Sequence, residues 1–161
     1  MSAIDPNRPD IVAFMATASA ALGRPLPAPK DVFGFGGKSP VLTDERLGLA
    51  IQGKKTATTS WPVPDPLYWG VGDLSIILDG KGAPGAVMQT KSFVQCKFRD
   101  VEEEFGLAEA EGDYTSYRDG HIVFYRQQEN GHEFGDDSIV LCERFEVIYP
   151  VAAEGKGTRS N

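Results

Sequence analysis

Gly53-Lys54-Lys55-Thr56-Ala57-Thr58-Thr59-Ser60 is the stretch whose reading decides the fold. It begins with a glycine and two lysines, then becomes a run of small, mostly hydroxyl-bearing residues ending at Trp61. Upstream, Ser39-Pro40 has the chemistry of a helix start, with Ser as N-cap and Pro in the first turn. Leu47, Ala50 and Ile51 recur at helical spacing, and Gly53 is the residue type that closes a helix. Downstream, the Thr/Ala run favours extended backbone. The stretch is therefore a helix-to-strand junction. Side chains alternate along a strand, so Thr56, Thr58 and Ser60 share one face and Lys55, Ala57 and Thr59 the other. A break at Gly53 would instead let Lys55 and Thr58 converge. Both lysines stand at the negative end of the helix dipole, which favours their charged forms. A cation beside hydroxyls on a rigid junction binds an anion or activates a hydroxyl nucleophile. Solvated lysines ahead of an ordinary strand are the plainer alternative.

The chain has 161 residues, 41% hydrophobic and 24% charged, enough for one domain with a real core. A net charge of −7 argues against tight non-specific binding to a long polyanion, while leaving room for a local basic cleft or a single nucleoside. The two cysteines, Cys96 and Cys142, have no metal-ligand spacing and fit a reducing cytoplasm. Met1 to Asp10 has no apolar run of the signal-peptide kind, and no stretch is long and apolar enough to span a membrane. The expectation is a cytoplasmic protein with no membrane partner and neither metal nor cofactor.

Asp10 to Leu22 reads as an amphipathic helix stopped by Gly23, and the three prolines within Arg24 to Lys30 make an extended connector. Phe33-Gly-Phe-Gly-Gly37 is a flexible aromatic loop that lacks the spacing of a phosphate loop. Trp61 to Trp69 holds three prolines and is a loop, from which Trp61, Tyr68 and Trp69 can form a stacking wall for a base or cover the end of a barrel. Leu74 to Leu78 is a strand, Asp79 to Gly82 a turn, and Gly85 to Phe98 supplies the next strands. Asp100-Val-Glu-Glu103 has a capping-box pattern opening a helix that carries Val101, Phe105 and Ala108. Glu109 to Asp113 is an acidic knot where that helix ends, against its dipole. Tyr114 to Asn130 is a helix with Tyr117, His121, Phe124 and Tyr125 near one face. A lone histidine there is a hydrogen-bonded core residue or a ligand contact. Ser138 to Tyr149 is the longest strand. Glu143 and Arg144 interrupt its apolar run, and one of the two can point into a cleft. The expected architecture is α+β, a small mixed β-barrel with flanking helices and an extra N-terminal helix. Its boundaries are a helix and connector over 1–32, the main domain over 33–151 and a disordered tail over 152–161.

From Phe33 to Pro150 the chain resembles the ASCH domain family, a branch of the PUA-like fold. The resemblance is carried by Gly53-Lys-Lys-Thr-Ala-Thr58, Gly70-Val-Gly-Asp-Leu-Ser75, Ala108-Glu-Ala-Glu-Gly-Asp113 and Cys142-Glu-Arg-Phe-Glu-Val147, of which the G-x-K-T-x-T core is the specific part. It implies recognition of single-stranded RNA or a modified nucleoside. One small enzyme type in the family hydrolyses the acetyl amide of 4-acetylcytidine with a Lys, a Thr and a Glu. Matching motifs assigns those catalytic roles to Lys55, Thr58 and Glu111. Where those enzymes carry an Arg this chain has Ser60, and where a ribonuclease of the family carries a catalytic Tyr it has Leu49. Lys54, Ser60, Trp61, Tyr68, Trp69, His121 and Arg144 complete the expected substrate-binding set. The expectation is thus a metal-independent amidohydrolase. The alternatives are a non-catalytic RNA-binding module and a metal-independent ribonuclease.

Overall fold

The computed structural model describes residues 4–151, so the expected tail over 152–161 lies outside the described residues. The strands are β1 (Asp31–Phe33), β2 (Ala57–Ser60), β3 (Leu74–Leu78), β4 (Pro84–Lys97) and β5 (Ile139–Tyr149). The helices are α1 (Pro9–Leu22), α2 (Pro40–Ile51), α3 (Glu103–Ala108) and α4 (Tyr114–Arg126). The architecture is α+β, with one five-stranded mixed sheet in the order β1-β3-β4-β5-β2. β1 runs parallel to β3 and every other pairing is antiparallel. β1 and β2 stand at the two edges, and closure into the expected barrel is not part of this pairing.

Register sorts the side chains into two faces. Residues directly opposite in a pair point the same way. Asp31, Ser75 and Met88 therefore share a face, as do Thr58, Glu143 and Phe93, and Thr90 with Phe145. An irregularity between Thr90 and Ser92 lets β4 keep Thr90 and Phe93 on one face although they are three positions apart. α2 covers part of this face, where Leu47, Ala50 and Phe35 pack on Ile77, Ala86, Met88 and Phe145. Gly85 admits that helix: a Cβ there would lie 2.5 Å from Leu47 Cδ2.

The opposite face carries two further cores. At the β1–β3–β4 end, Ile11, Met15 and Ala18 of α1 pack on Val32, Leu74, Ile76 and Val87. At the β5–β2 end, Tyr117 and Tyr125 of α4 and Phe105 of α3 pack on Ala57, Val140 and Cys142. Both cysteines are free thiols, and burial with Cys96 alongside pushes the Cys142 thiol upward.

Three local expectations change. The extended connector leads into a strand that the sequence reading did not include, because Asp31–Phe33 finds β3 as a parallel partner and puts Val32 in the α1 core. The capping box does not form: a 3₁₀ turn occupies Phe98–Asp100, α3 starts only at Glu103, and its N-cap Glu102 makes no side-chain cap bond. α4 stops at Arg126, and Asn130, with φ of 60°, lies in the following turn. The cap of α4 is Asp113, whose carboxylate accepts from the Ser116 N–H at 2.8 Å.

Ile11 is fully buried under the sheet. Ile11→Ala is expected to cost about 2–4 kcal/mol through lost burial and the cavity left behind. A urea midpoint lowered in one cooperative transition supports α1 as part of the core, and a wild-type midpoint refutes it.

Candidate functional site

Gly53 adopts a φ of 78°, a left-handed conformation that lets the chain leave α2 and turn into β2. The turn is pinned by backbone bonds from the Lys54 and Lys55 N–H groups to the Leu49 carbonyl. The Thr56 N–H bonds to the Ala108 carbonyl, which ties the same junction to the end of α3. Between these ties Lys55 is driven inward and is only 1% exposed.

The Lys55 ammonium is surrounded by acceptors. Nζ lies 3.2 Å from Glu109 Oε1, 3.1 Å from the Glu109 carbonyl, 3.3 Å from the Ala57 carbonyl and 3.4 Å from Glu111 Oε2. It also sits 4.8 Å above the centre of the Phe35 ring. Glu109, itself 1% exposed, uses its second oxygen to accept from Thr59 Oγ1 at 2.5 Å and faces His121 Nε2 at 3.4 Å. Thr59 Oγ1 also meets the Tyr117 hydroxyl at 2.7 Å, and the Tyr125 hydroxyl donates to the Thr59 carbonyl at 2.7 Å. His121 Nδ1 faces the Tyr117 carbonyl at 2.8 Å. At the rim, Glu111 also meets Arg46 of α2 at 3.5 Å, and these two are 16% and 25% exposed in their side chains.

Opposing effects set the titrations here. Burial pushes the Glu109 carboxyl up, but the charges of Lys55 and His121 with the Thr59 and His121 hydrogen bonds outweigh it, so it falls well below the usual carboxylate range. Burial pulls the His121 imidazole down, yet the Glu109 charge and hydrogen bond win and raise it above 6.5. Burial and the Glu109 charge both raise the Tyr125 hydroxyl.

β2 divides the predicted residues between two environments. Thr59 and Lys55 belong to the buried network. Thr58, half-buried, faces the other way, opposite Glu143 in the register, and takes no part in the network's hydrogen bonds. The structure therefore brings Lys55 and Glu111 together, while Thr58 sits on the strand between the network and the sheet face bearing Glu143. His121 is a buried network member. Lys54 is exposed, and Ser60 is half-buried opposite Leu141. Trp61 does not join Tyr68 and Trp69 in one wall. It packs at 5.8 Å on Tyr125 and 5.2 Å on Phe134, whereas Tyr68 and Trp69 pair at 4.8 Å and Trp69 meets Phe93 at 5.7 Å. Arg144 lies on the opposite face, bonded to Glu104 at 2.6 Å and stacked 5.2 Å over Phe105. Of the Glu143–Arg144 pair, it is Glu143 that turns inward, 2% exposed.

Glu109 is the principal residue that sequence reasoning missed. Its one signal is an acid at the end of α3, against the dipole, two positions before the expected Glu111. Glu109, Glu111 and His121 could in principle hold a metal ion, their ligand atoms lying within 4.8 Å of one another. The Lys55 ammonium already contacts both carboxylates of that set, so an ion would have to displace a buried cation.

The sheet order, the three helix-covered cores and the lysine-centred junction define a small α+β domain whose distinctive feature is a buried Lys–Glu network. Residues 32–149 match the family model described as the ASCH domain, and the chain belongs to that family. Protein EF3133 from Enterococcus faecalis V583 is similar at 25% identity with a TM-score of 0.73, over 86% of this chain and 92% of that one. The ASCH domain from Lactobacillus crispatus JV V101 is similar in fold at 19% identity with a TM-score of 0.71, over 92% and 98%. No curated protein matches the chain.

The signs of the two shifts fix a pH window. Glu109, depressed in the fold, contributes stability above 4.5 that is lost as pH falls. His121, raised in the fold, contributes stability below 6.5 that is lost as pH rises through its folded value. Urea midpoints are expected to fall when pH drops from roughly 5.5 to roughly 3, with a shallower slope in Glu109→Gln. Equal slopes in the two proteins would place the acid sensitivity elsewhere.

Proposed function

We propose that the protein is a metal-independent hydrolase that cleaves an acyl amide on a modified nucleoside of the 4-acetylcytidine kind, using Lys55, Thr58 and Glu111. The observation that carries this reading is the 3.4 Å contact between Lys55 Nζ and Glu111 Oε2, across 56 positions of sequence. Two members of the Lys/Thr/Glu set thus meet at a rim where Glu111 keeps some exposure. The third, Thr58, has its hydroxyl outside the network.

Lys55 has three N–H bonds and four acceptors around it. In this reading all of its N–H bonds are committed inside the protein, and its part is to hold Glu111 in place at the rim. Thr58 Oγ1, which lies outside the network, adds to the acyl carbon while its proton reaches Glu111 through an intervening water. Collapse of the adduct breaks the C–N bond, and Glu111 returns the proton to the leaving amine. Water then cleaves the threonyl ester, which releases the carboxylic acid and restores the Thr58 hydroxyl.

A second reading, single-stranded RNA binding, is favoured by Tyr68. It is 53% exposed beside Trp69, an arrangement suited to stacking a base. Loss of affinity with added salt, together with no amide turnover, would select it.

Wild type is expected to deacetylate 4-acetylcytidine. Glu111→Gln should slow this by about 100-fold, and Thr58→Ala should reduce it to background. A folded Thr58→Ala protein turning over at the wild-type rate overturns the assignment.

A further inference from the structure

Between the loop after β2 and the sheet lies an open cleft of about 580 Å³ that the Lys55 network does not use. Its loop wall includes Trp61, Val63, Asp65 and Leu67, and its sheet wall is Gln95 of β4 with Ile139 of β5. Gln95 is opposite Leu141, and Leu141 is opposite Ser60. Ile139 stands two positions from Leu141, and Thr58 two from Ser60, so all of them share one face of the sheet. The cleft therefore opens on the face that carries Thr58, just beyond the end of β2. Its volume suits a nucleoside-sized ligand.

Most of the lining is apolar, and the loop that supplies it is held at both ends. Trp61 packs on Tyr125 and Phe134, while Trp69 is buried against Phe93. A wall fixed before binding loses little freedom when a ligand arrives. Two polar groups interrupt it, the Asp65 carboxylate from the loop and the Gln95 amide from the sheet. Both residues are exposed, and among the described residues neither side chain is hydrogen-bonded or ion-paired within the protein. Asp65 is the one charged residue among the described residues that line the cleft. A carboxylate only accepts hydrogen bonds, whereas an amide donates through its nitrogen and accepts through its oxygen.

We infer that this cleft is a base site that selects a nucleobase with an exocyclic amino group, as in cytosine and adenine, over one with a carbonyl in that place, as in uracil. This rests on the nucleoside reading given above and assigns base recognition to residues outside the Lys55 network. The half-buried indole of Trp61 offers the base a flank, and Val63, Leu67 and Ile139 cover its apolar surface. Asp65 accepts from the amino N–H, and Gln95 donates to the ring nitrogen beside it. An amino group that carries an acyl substituent keeps one N–H for Asp65, so the free and acylated bases are read alike. A carbonyl at the same position sets two acceptors against each other, which costs affinity. Asp65 and Gln95 are specificity residues and take no part in the chemistry.

The test is a nuclear magnetic resonance titration of the isotopically labelled full chain with two nucleoside pairs, cytidine against uridine and adenosine against inosine. The members of each pair differ in carrying an amino group or a carbonyl. At least one amino nucleoside should move the Trp61 indole and Gln95 side-chain amide signals, and its carbonyl counterpart should bind about fivefold more weakly or worse. Ribose alone should move neither signal. Asp65→Asn, whose amide can face either group, should weaken the amino nucleoside by about tenfold and bring the pair within about twofold of each other. Gln95→Leu should also weaken it, with an unchanged urea midpoint. Both positions are exposed, so these variants are expected to fold, which near-ultraviolet circular dichroism checks. No movement of the cleft signals by either amino nucleoside, equal affinity for the carbonyl counterpart, or an Asp65→Asn protein that keeps the wild-type preference overturns the site. The two readings separate cleanly. Nucleoside binding in the cleft without amide turnover sinks the hydrolase and keeps the site. Turnover of 4-acetylcytidine with a KM that Asp65→Asn leaves unchanged does the reverse.

Discussion

The buried contact between Lys55 and Glu109 is the constraint on which the rest of this domain depends. Each side chain is 1% exposed, and withdrawing two such charges from water costs several kcal/mol per ion unless their remaining hydrogen-bonding capacity is met. The surroundings meet it. Lys55 finds two backbone carbonyls and a second carboxylate, and Glu109 finds Thr59 and His121. The partners come from β2 (Ala57, Thr59), the turn after α3 (Glu109, Glu111) and α4 (His121), and Lys55 itself follows α2, so the full set meets only when these four elements are in place. The pair thereby acts less as a source of net stability than as a condition on a single arrangement of these four elements.

That arrangement gives β2 two distinct roles. One face, through Ala57 and Thr59, is absorbed into the α3–α4 core and its polar network. The other presents Thr58 to a face carrying Glu143, Thr90, Asp31 and Ser75, bordered by Phe93 and Trp69. The buried network behind the strand holds β2, so Thr58 cannot shift independently of it. The net charge of −7 disfavours binding to extended polyanions.

Much of the fold was legible because its signals are local. Helical spacing and Gly23 gave α1, Ser39-Pro40 and Gly53 gave α2, and the runs at Leu74 and Ser138 gave β3 and β5. β1 was not legible: three residues behind a proline-rich connector become a strand only because β3 offers a parallel edge. The short α3 was misjudged since the apparent capping box depends on a backbone path that the Phe98–Asp100 turn redirects. At the site, the pairing of Lys55 with Glu111 was available only through family resemblance, as nothing local connects residues so far apart. Glu109 was hidden inside a run of acids where sequence gives no account of which one is buried. The choice between Glu143 and Arg144 needed the strand register, which places Glu143 beside Thr58 and sends Arg144 to Glu104 on the other side.

The most direct measurement of the central claim is a double-mutant cycle on Lys55 and Glu109, with Lys55→Met, Glu109→Gln and the double variant unfolded in urea at a pH near 6. A buried, mutually dependent pair predicts that each single change costs about 3–5 kcal/mol. The double variant should then lose far less than the sum of the two, with a coupling of at least about 2 kcal/mol. Additive losses, with coupling near zero, would show that the two charges do not depend on one another and would contradict the account.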